Sequence, residues 1–513
     1  MIAFARERAN CIKIPALLIL AGVLLFTSFY RLDAWPATWQ DEGIILQAAW
    51  NLAERGVYGL RSSEGMRPFD PALTTGPTVV VPVTLAFRLF GIGLIPGRAV
   101  MGLYLIWTVI AIYALMQHLY DWQVALLAAF MVLACYTYDA NLVQRGRYVL
   151  GEVPGLCFIL WGAYFWVKAL WGTRCRDVAL SGLFFGLAIL TKEIYILVMP
   201  ALVGLWLLDS AYYKQRRHAV FLWSLVLAIM PYAGWVVLRR VLMDPEAFAA
   251  AMEVTHDAAF ITVAMPKLSW MLNSLKFLMQ STFFEWWLPG LIYVFGASLA
   301  QRDRNVERLF LPVFALVWLA WYLFVSSGWY RYAFGLLAVT PVFAAVLLRD
   351  LTNALETWWR THSVPTSWLA RGSAGLALAF LVFFPLRNRI HTVATASEMD
   401  TQALASYIVA NIVPGELIES CEWEVDIFAR DHLFHHPSPQ AMRDFRMANL
   451  GRNPAKAYDF QRYSPSYLID GHYSKMLGVY SQEFLEEHCI LLTSVGRYDL
   501  YRIEPSEGSM LRK

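Results

Sequence analysis

The sequence predicts a polytopic α-helical membrane protein with a small C-terminal α/β domain outside the membrane, and three observations carry that reading. Of 513 residues, 58% are hydrophobic and 16% charged, with a mean hydropathy of +0.46; a soluble domain averages about 45–50% apolar and about 25% charged. Apolar runs of spanning length, roughly 17–25 residues, recur as far as about residue 390. Beyond that point no spanning run occurs, and charged residues, His435–His436, prolines and turn signals appear. The net charge of +3 is small and the basic residues are scattered, so nucleic-acid binding is not expected.

The first run, Ile14–Tyr30, is followed by no small-residue cleavage site and reads as a retained span. Further spans are expected near 99–117, 122–140, 149–171, 219–242, 284–300, 309–327, 332–348 and 373–388. The stretch 178–209 is long enough for two short helices and 77–94 is ambiguous, which gives about 11–13 spans. Arg6, Arg8 and Lys13 place the N-terminus in the cytoplasm, so the loop 31–76 lies outside. Lys214, Arg216 and Arg217, then Arg302, Arg304 and Arg308, then Arg349, Arg360 and Arg371 read as cytoplasmic, leaving 243–283, the Ser326–Tyr332 turn and the tail outside. Two topologies fit the middle. In one, 77–94 lies along the outer surface and 178–209 is a hairpin with Lys192–Glu193 at its outer tip, so Arg145 and Arg147 lie outside. In the other, 77–94 crosses, 178–209 crosses once, and those arginines lie inside. The count of basic residues slightly favours the second; the length of 178–209 and the gathering of charges on one face favour the first, which we adopt.

The chain thus divides into a membrane domain over 1–390 and an extracytoplasmic domain over 391–513. In the latter, Met399–Ile412 has helical apolar spacing, Ser466–Ile469 reads as a strand, and Cys489–Val495 with Tyr498–Ile503 reads as a hairpin. Cys421 and Cys489 fall in this tail and can pair in an oxidising compartment or remain buried thiols. Cys11, Cys135, Cys157 and Cys175 have no metal-ligand spacing.

Acidic groups near a bilayer are costly and mark candidate sites. Asp41–Glu42 follow the first span; they suit the first turn of a helix, and they also suit proton acceptance from a hydroxyl, one carboxylate acting and the other steadying the site. They can also hold a divalent metal, although two carboxylates alone do not establish one. In PALTTGP (71–77), Thr75 or Gly76 can cap a helix opened by Pro77, an end whose free N–H groups favour anions. RGRYVLGEVP (145–154) sets Arg145, Arg147 and Glu152 at a span edge, either as a charged loop or as phosphate and sugar contacts. Lys192–Glu193 sit within an apolar run, where they can neutralise each other or Lys192 can hold a phosphate. Arg331 in SGWYRY (327–332) lies among interfacial aromatics, and its guanidinium can bind two oxygens. No Walker loop, dinucleotide fingerprint, zinc spacing or Gly-x-Ser-x-Gly occurs.

The order of these elements resembles the GT-C membrane glycosyltransferases, over roughly residues 10–350. It comprises a first span, Asp-Glu, a proline-containing helix start, FRLFG (87–91) with Arg98 after it, an arginine-rich span edge, a Gly…Thr-Lys turn and a late Arg-Tyr. Within that class it is most similar to glycosyltransferase family 39, which includes protein O-mannosyltransferases and lipid A aminoarabinose transferases. The resemblance implies Asp41 as the catalytic residue with Glu42 beside it, a sugar on a polyprenyl phosphate as donor, and inversion at the anomeric centre. It also implies 77–94 at the outer membrane surface. One departure stands out: aminoarabinose transferases carry a Lys before the proline of the first-loop motif, where this chain has Thr75-Gly76. Any grip on the donor phosphate then passes to the helix start, Lys192 or Arg331.

The expected function is transfer of that sugar to an acceptor hydroxyl on a glycan, lipid or protein, at the outer face of a bacterial inner membrane. The rivals are a polysaccharide polymerase or ligase using a lipid-linked glycan, and a lipid or solute transporter. A transporter is expected to show internal repeats and midplane charges, and no repeat is seen.

Overall fold

The computed structural model describes residues 2–137, 140–172, 174–262, 267–300, 306–361, 375–376, 378–449 and 458–504. Arg302, Arg304 and Arg371, and the first part of the expected span 373–388, lie outside the described residues. Among those described, seven helices are long and apolar enough to span: Leu94–Leu119, Glu152–Gly172, Glu193–Ala211, His218–Leu242, Phe283–Ala300, Val306–Phe324 and Tyr330–Trp358. Lys13–Phe29, Pro77–Phe90 and Trp122–Ala134 are shorter apolar helices. This is a polytopic helical integral membrane protein. Burial ranks the spans: 83% of the apolar window of Tyr330–Trp358 and 78% of that of Glu152–Gly172 are inside, against 22% for His218–Leu242. The first two are the bundle's interior, and the last turns most of its surface outward, where lipid replaces protein as the apolar partner.

The two ambiguous stretches differ in form. The run 178–209 is two helices, Cys175–Thr191 and Val198–Ala211, parted at Lys192 and a short 3-10 turn, Glu193–Leu197. Pro77–Phe90 spans only 14 residues, roughly 21 Å at 1.5 Å per residue, too short for a hydrocarbon core of roughly 30 Å. Its first turn is pinned to the end of the helix Cys175–Thr191, with Gly76 N donating to Thr191 O (2.9 Å) and the Thr78 and Thr191 hydroxyls 2.6 Å apart. A Cβ on Gly76 would lie 1.8 Å from Leu190 O, so only glycine permits this approach.

Between the first two spans, the helix Gln40–Arg55 is followed by an antiparallel hairpin of β1 (Gly59–Ser62) and β2 (Gly65–Pro68). The tail folds as a five-stranded sheet, ordered β4-β3-β5-β7-β6, of β3 (Leu417–Ser420), β4 (Leu433–His435), β5 (Tyr467–Asp470), β6 (Cys489–Val495) and β7 (Tyr498–Ile503). Strand β3 runs parallel to β4 and β5, while β7 runs antiparallel to β5 and β6. The β6–β7 hairpin lies where its alternation predicts. The two short parallel strands β3 and β4 were not foreseen. Cys421 and Cys489 are free thiols, Cys421 lying 3.7 Å from the Tyr480 hydroxyl.

The sheet domain is bolted to the first outer loop. Trp423 and Ile427 enter the apolar core of the helix Gln40–Arg55. Gln47 Nε2 donates to Asp426 (2.6 Å), Ser63 N to Phe434 O (2.9 Å), and Ala37 N to Glu398 (2.6 Å). The closest approach is at Gly43, where a Cβ would meet Glu424 N at 2.2 Å, all of it backbone that cannot rotate away. Gly43→Ala is therefore expected to cost about 1–3 kcal/mol through overpacking. It should also loosen the sheet domain, read as a lower unfolding temperature in detergent and faster proteolysis of the 390–400 connection than in wild type.

Candidate active site

Asp41 and Glu42 occupy the first turn of the helix Gln40–Arg55. Successive helical residues point about 100° apart, and here they part company. Glu42 turns into the protein, fully buried, and accepts from Arg98 Nη2 (2.7 Å) and Nε (2.9 Å) and from Val149 N (3.0 Å). Arg98 in turn donates to the carbonyls of Leu32 and Pro36, both at 2.8 Å. Glu42 thus turns away from the Asp41 side chain and fixes the helix end that carries it. A metal held jointly by both carboxylates does not fit this arrangement, because both Glu42 oxygens already face Arg98.

Asp41 instead pairs with Arg331. The same guanidinium reaches Glu152 Oε1 at 3.0 Å, and Lys192 Nζ meets that oxygen at 2.6 Å. Four residues singled out in the sequence, from four separate elements, therefore converge. Glu152 opens the helix Glu152–Gly172, with its carbonyl held by the Tyr195 hydroxyl. Lys192 stands in the break between two helices, and Arg331 sits in the 3-10 turn Tyr330–Ala333, steadied by Trp318 Nε1 donating to Tyr332 O (2.7 Å). Glu152 Oε2 and Arg331 Nε are buried without a partner among the described residues, a cost that a ligand donor or acceptor would relieve.

The other predicted residues divide. Thr75 is buried beside this cluster: a Cβ on Gly151 would touch Thr75 Oγ1 at 3.2 Å and Lys192 Cβ at 3.3 Å. Arg145 is buried over the Tyr148 ring, and its charge acts on Glu152. Arg147 does not belong to the site. It is fully buried and donates to the carbonyls of Thr27 (2.8 Å), Tyr30 (2.7 Å), Arg31 (2.9 Å) and Trp35 (2.9 Å), clamping the chain where it leaves the first span. That clamp also places the 145–151 turn at the same end of the bundle as Asp41.

Arg446, in the tail helix Pro439–Asn449, was not foreseen. Its Nε donates to Tyr473 OH (2.7 Å), and its charge acts on Asp41. Burial pushes the Asp41 carboxyl up, but the charges of Arg331, Arg446 and Lys192 outweigh it and hold the group below the usual carboxylate range. Within the sheet domain, burial first and the Glu422 charge second push the Glu424 carboxyl up against the pull of Arg497. That acid lies behind Gly43.

Residues 75–237 match the family described as dolichyl-phosphate-mannose-protein mannosyltransferase. No curated protein sequence matches the chain. Among solved structures, ArnT from Cupriavidus metallidurans bound to undecaprenyl phosphate superposes with a TM-score of 0.64 at 12% identity, covering 95% of this chain and 97% of that one. The oligosaccharyltransferase of Archaeoglobus fulgidus in its apo form gives 0.60 at 12% identity, over 97% of this chain and 75% of that one. The archaeal oligosaccharyltransferase AglB from the same organism, with an inhibitory peptide and a dolichol-phosphate, gives 0.57 at 11% identity, over 96% and 74%. At these identities the likeness is one of fold. The chain has the fold of the GT-C membrane glycosyltransferases, and the resemblance read from its motifs holds at that level.

Proposed function

We propose that the protein transfers a sugar from a polyprenyl-phosphate donor to an acceptor hydroxyl at the outer face of the membrane, with Asp41 as the catalytic residue. The convergence of Asp41, Glu152, Lys192 and Arg331 at one end of the bundle carries this reading. The ArnT neighbour binds undecaprenyl phosphate and the archaeal AglB neighbour a dolichol-phosphate, which supports a lipid phosphate as the shared ligand chemistry.

In the reaction, the acceptor oxygen bonds to the anomeric carbon as the bond from that carbon to the phosphate oxygen breaks. The acceptor proton passes to Asp41, and the electron pair leaves with the polyprenyl phosphate. The phosphate gains one negative charge in the step, and cations placed for that charge lower the barrier. Arg331 and Lys192 hold it, and Glu152 orients both. Arg145 and Arg446 supply the positive charge that the mutually neutral four-residue cluster lacks. A single displacement inverts the centre. A retaining route needs a second carboxylate as nucleophile; Glu42 is sequestered by Arg98 and Glu152 by two cations.

The same ion pairs give the site an order of events. With Arg331 on Asp41, the carboxylate is a poor base. A donor phosphate draws Arg331 away, and Asp41 gains proton affinity only once the donor is in place. The clustering of charges at one end, rather than at mid-bundle, supports an enzyme over a transporter.

The test is a transfer assay with the purified full-length chain and a radiolabelled polyprenyl-phosphate sugar. Label should move to acceptor with release of polyprenyl phosphate, and no nucleotide sugar should substitute. Lys192→Met should raise the donor KM by about tenfold or more, the worth of one charge-assisted bond. An unchanged KM would remove Lys192 from the phosphate site, and label that stays on the lipid with every hydroxyl acceptor offered would refute the reaction.

A further inference from the structure

A cleft opens between the first outer loop, the helix Pro245–Thr262 and the sheet domain; its lining includes Gln40, Arg67, Asp70, Trp423, Arg443 and Arg446. Its polar groups make two distinct demands. Gln40 is 2% exposed and Asp70 4%, and Gln40 Oε1 and Asp70 Oδ2 are buried without a donor among the described residues. Such oxygens call for hydroxyl or N–H groups. Burial pushes the Asp70 carboxyl up to about 6, against the pull of the Ala72 N–H and the Arg67 charge.

The second demand is for an anion. Arg67 is paired with Glu64 (2.8 Å) and Arg443 with Asp444 (3.0 Å). Arg446 has the Tyr473 hydroxyl and ring as its contacts, with no carboxylate at ion-pair distance among the described residues. Arg446 lines the cleft, and its charge also acts on Asp41.

We propose that this cleft is the acceptor site, and that it takes a hydroxyl-bearing group carrying a phosphate or carboxylate, its hydroxyls on Gln40 and Asp70 and its anion on Arg446. The assignment rests on the transferase reading for the word acceptor, and on the cleft alone for the binding. Gln40 immediately precedes Asp41 on the helix Gln40–Arg55, so the cleft borders the helix turn that carries the carboxylate. Arg446 then acts as a specificity-determining residue.

The test is equilibrium binding to the full-length chain in detergent, without donor. The probes are glucose 6-phosphate, glucose, and phosphatidylinositol 4-phosphate in nanodiscs. Saturable binding of either phosphate, about tenfold or more tighter than glucose, is expected, and the arm that binds assigns a soluble or a lipid source. Arg446→Gln should weaken it by about tenfold or more, Arg446→Lys by less, and Arg502→Gln on β7 not at all. Asp41→Asn should abolish transfer yet keep anion binding, which separates the two claims. Equal binding of glucose and glucose 6-phosphate, no binding of either phosphate, or an unaltered Arg446→Gln would each overturn the assignment. A failed transfer assay alone would leave the binding result standing.

Discussion

Asp41→Asn is expected to lower transfer roughly 10²–10⁴-fold, the span associated with loss of a positioned proton acceptor. The amide keeps the size of the carboxylate and an oxygen to face Arg331, so the site geometry survives and the lost capacity is chemical. A pH profile adds a second reading. The Asp41 carboxyl is held below its usual range because Arg331, Arg446 and Lys192 outweigh the effect of burial. It therefore contributes stability that is present above the unfolded carboxylate range and lost only as pH falls through its depressed native value. The acid limb of kcat/KM, which reports the free enzyme, should lie below the ordinary carboxylate range. The limb of kcat should lie higher, because bound donor occupies Arg331. Identical limbs would show that Arg331 does not move to the phosphate.

Glu42→Ala is the largest expected effect on stability. It strands the Arg98 guanidinium, fully buried and bonded to Glu42 at 2.7 and 2.9 Å, and leaves it without a carboxylate beside the Leu32 and Pro36 carbonyls and the Tyr148 ring. Breaking a buried pair by removing one member costs about 3–5 kcal/mol. Unfolding of membrane proteins is commonly irreversible, so the comparison is an apparent Tm at a fixed scan rate. Glu42→Ala should fall well below wild type. The double variant Glu42→Leu with Arg98→Met, which removes both charges, should recover much of the difference. A Glu42→Ala chain of wild-type Tm would show the pair to be dispensable and reopen a catalytic role for Glu42.

The legible part of the site and the illegible part differ by what a charge costs in its surroundings. Glu152, Lys192 and Arg331 stood out because each sits at or within an apolar run, where an ionised group needs a partner. Their mutual pairing was not visible, since Arg331 lies 179 residues from Glu152 and 290 from Asp41. The same distance hid the roles of Glu42 and Arg147, whose partners are 56 residues away and 112 or more away. Both looked like site residues because a buried structural charge and a functional one leave the same mark in a sequence. Arg446 left no mark at all: in a tail rich in charge, one more arginine is unremarkable, and only folding the helix Pro439–Asn449 against the first loop brings it to Asp41. In the sheet domain, β6 and β7 announced themselves by alternation, whereas the four-residue β3 and three-residue β4 are too short for any period to register.

The central claim is that a lipid phosphate sits on Arg331 and Lys192 beside Asp41. Native mass spectrometry of the full-length chain titrated with undecaprenyl phosphate tests it without knowledge of the sugar or the acceptor. The account predicts one saturable bound lipid in wild type, retained in Asp41→Asn and weakened about tenfold or more in Arg331→Gln. Equal binding by wild type and Arg331→Gln, or no preference for undecaprenyl phosphate over undecaprenol, would contradict it.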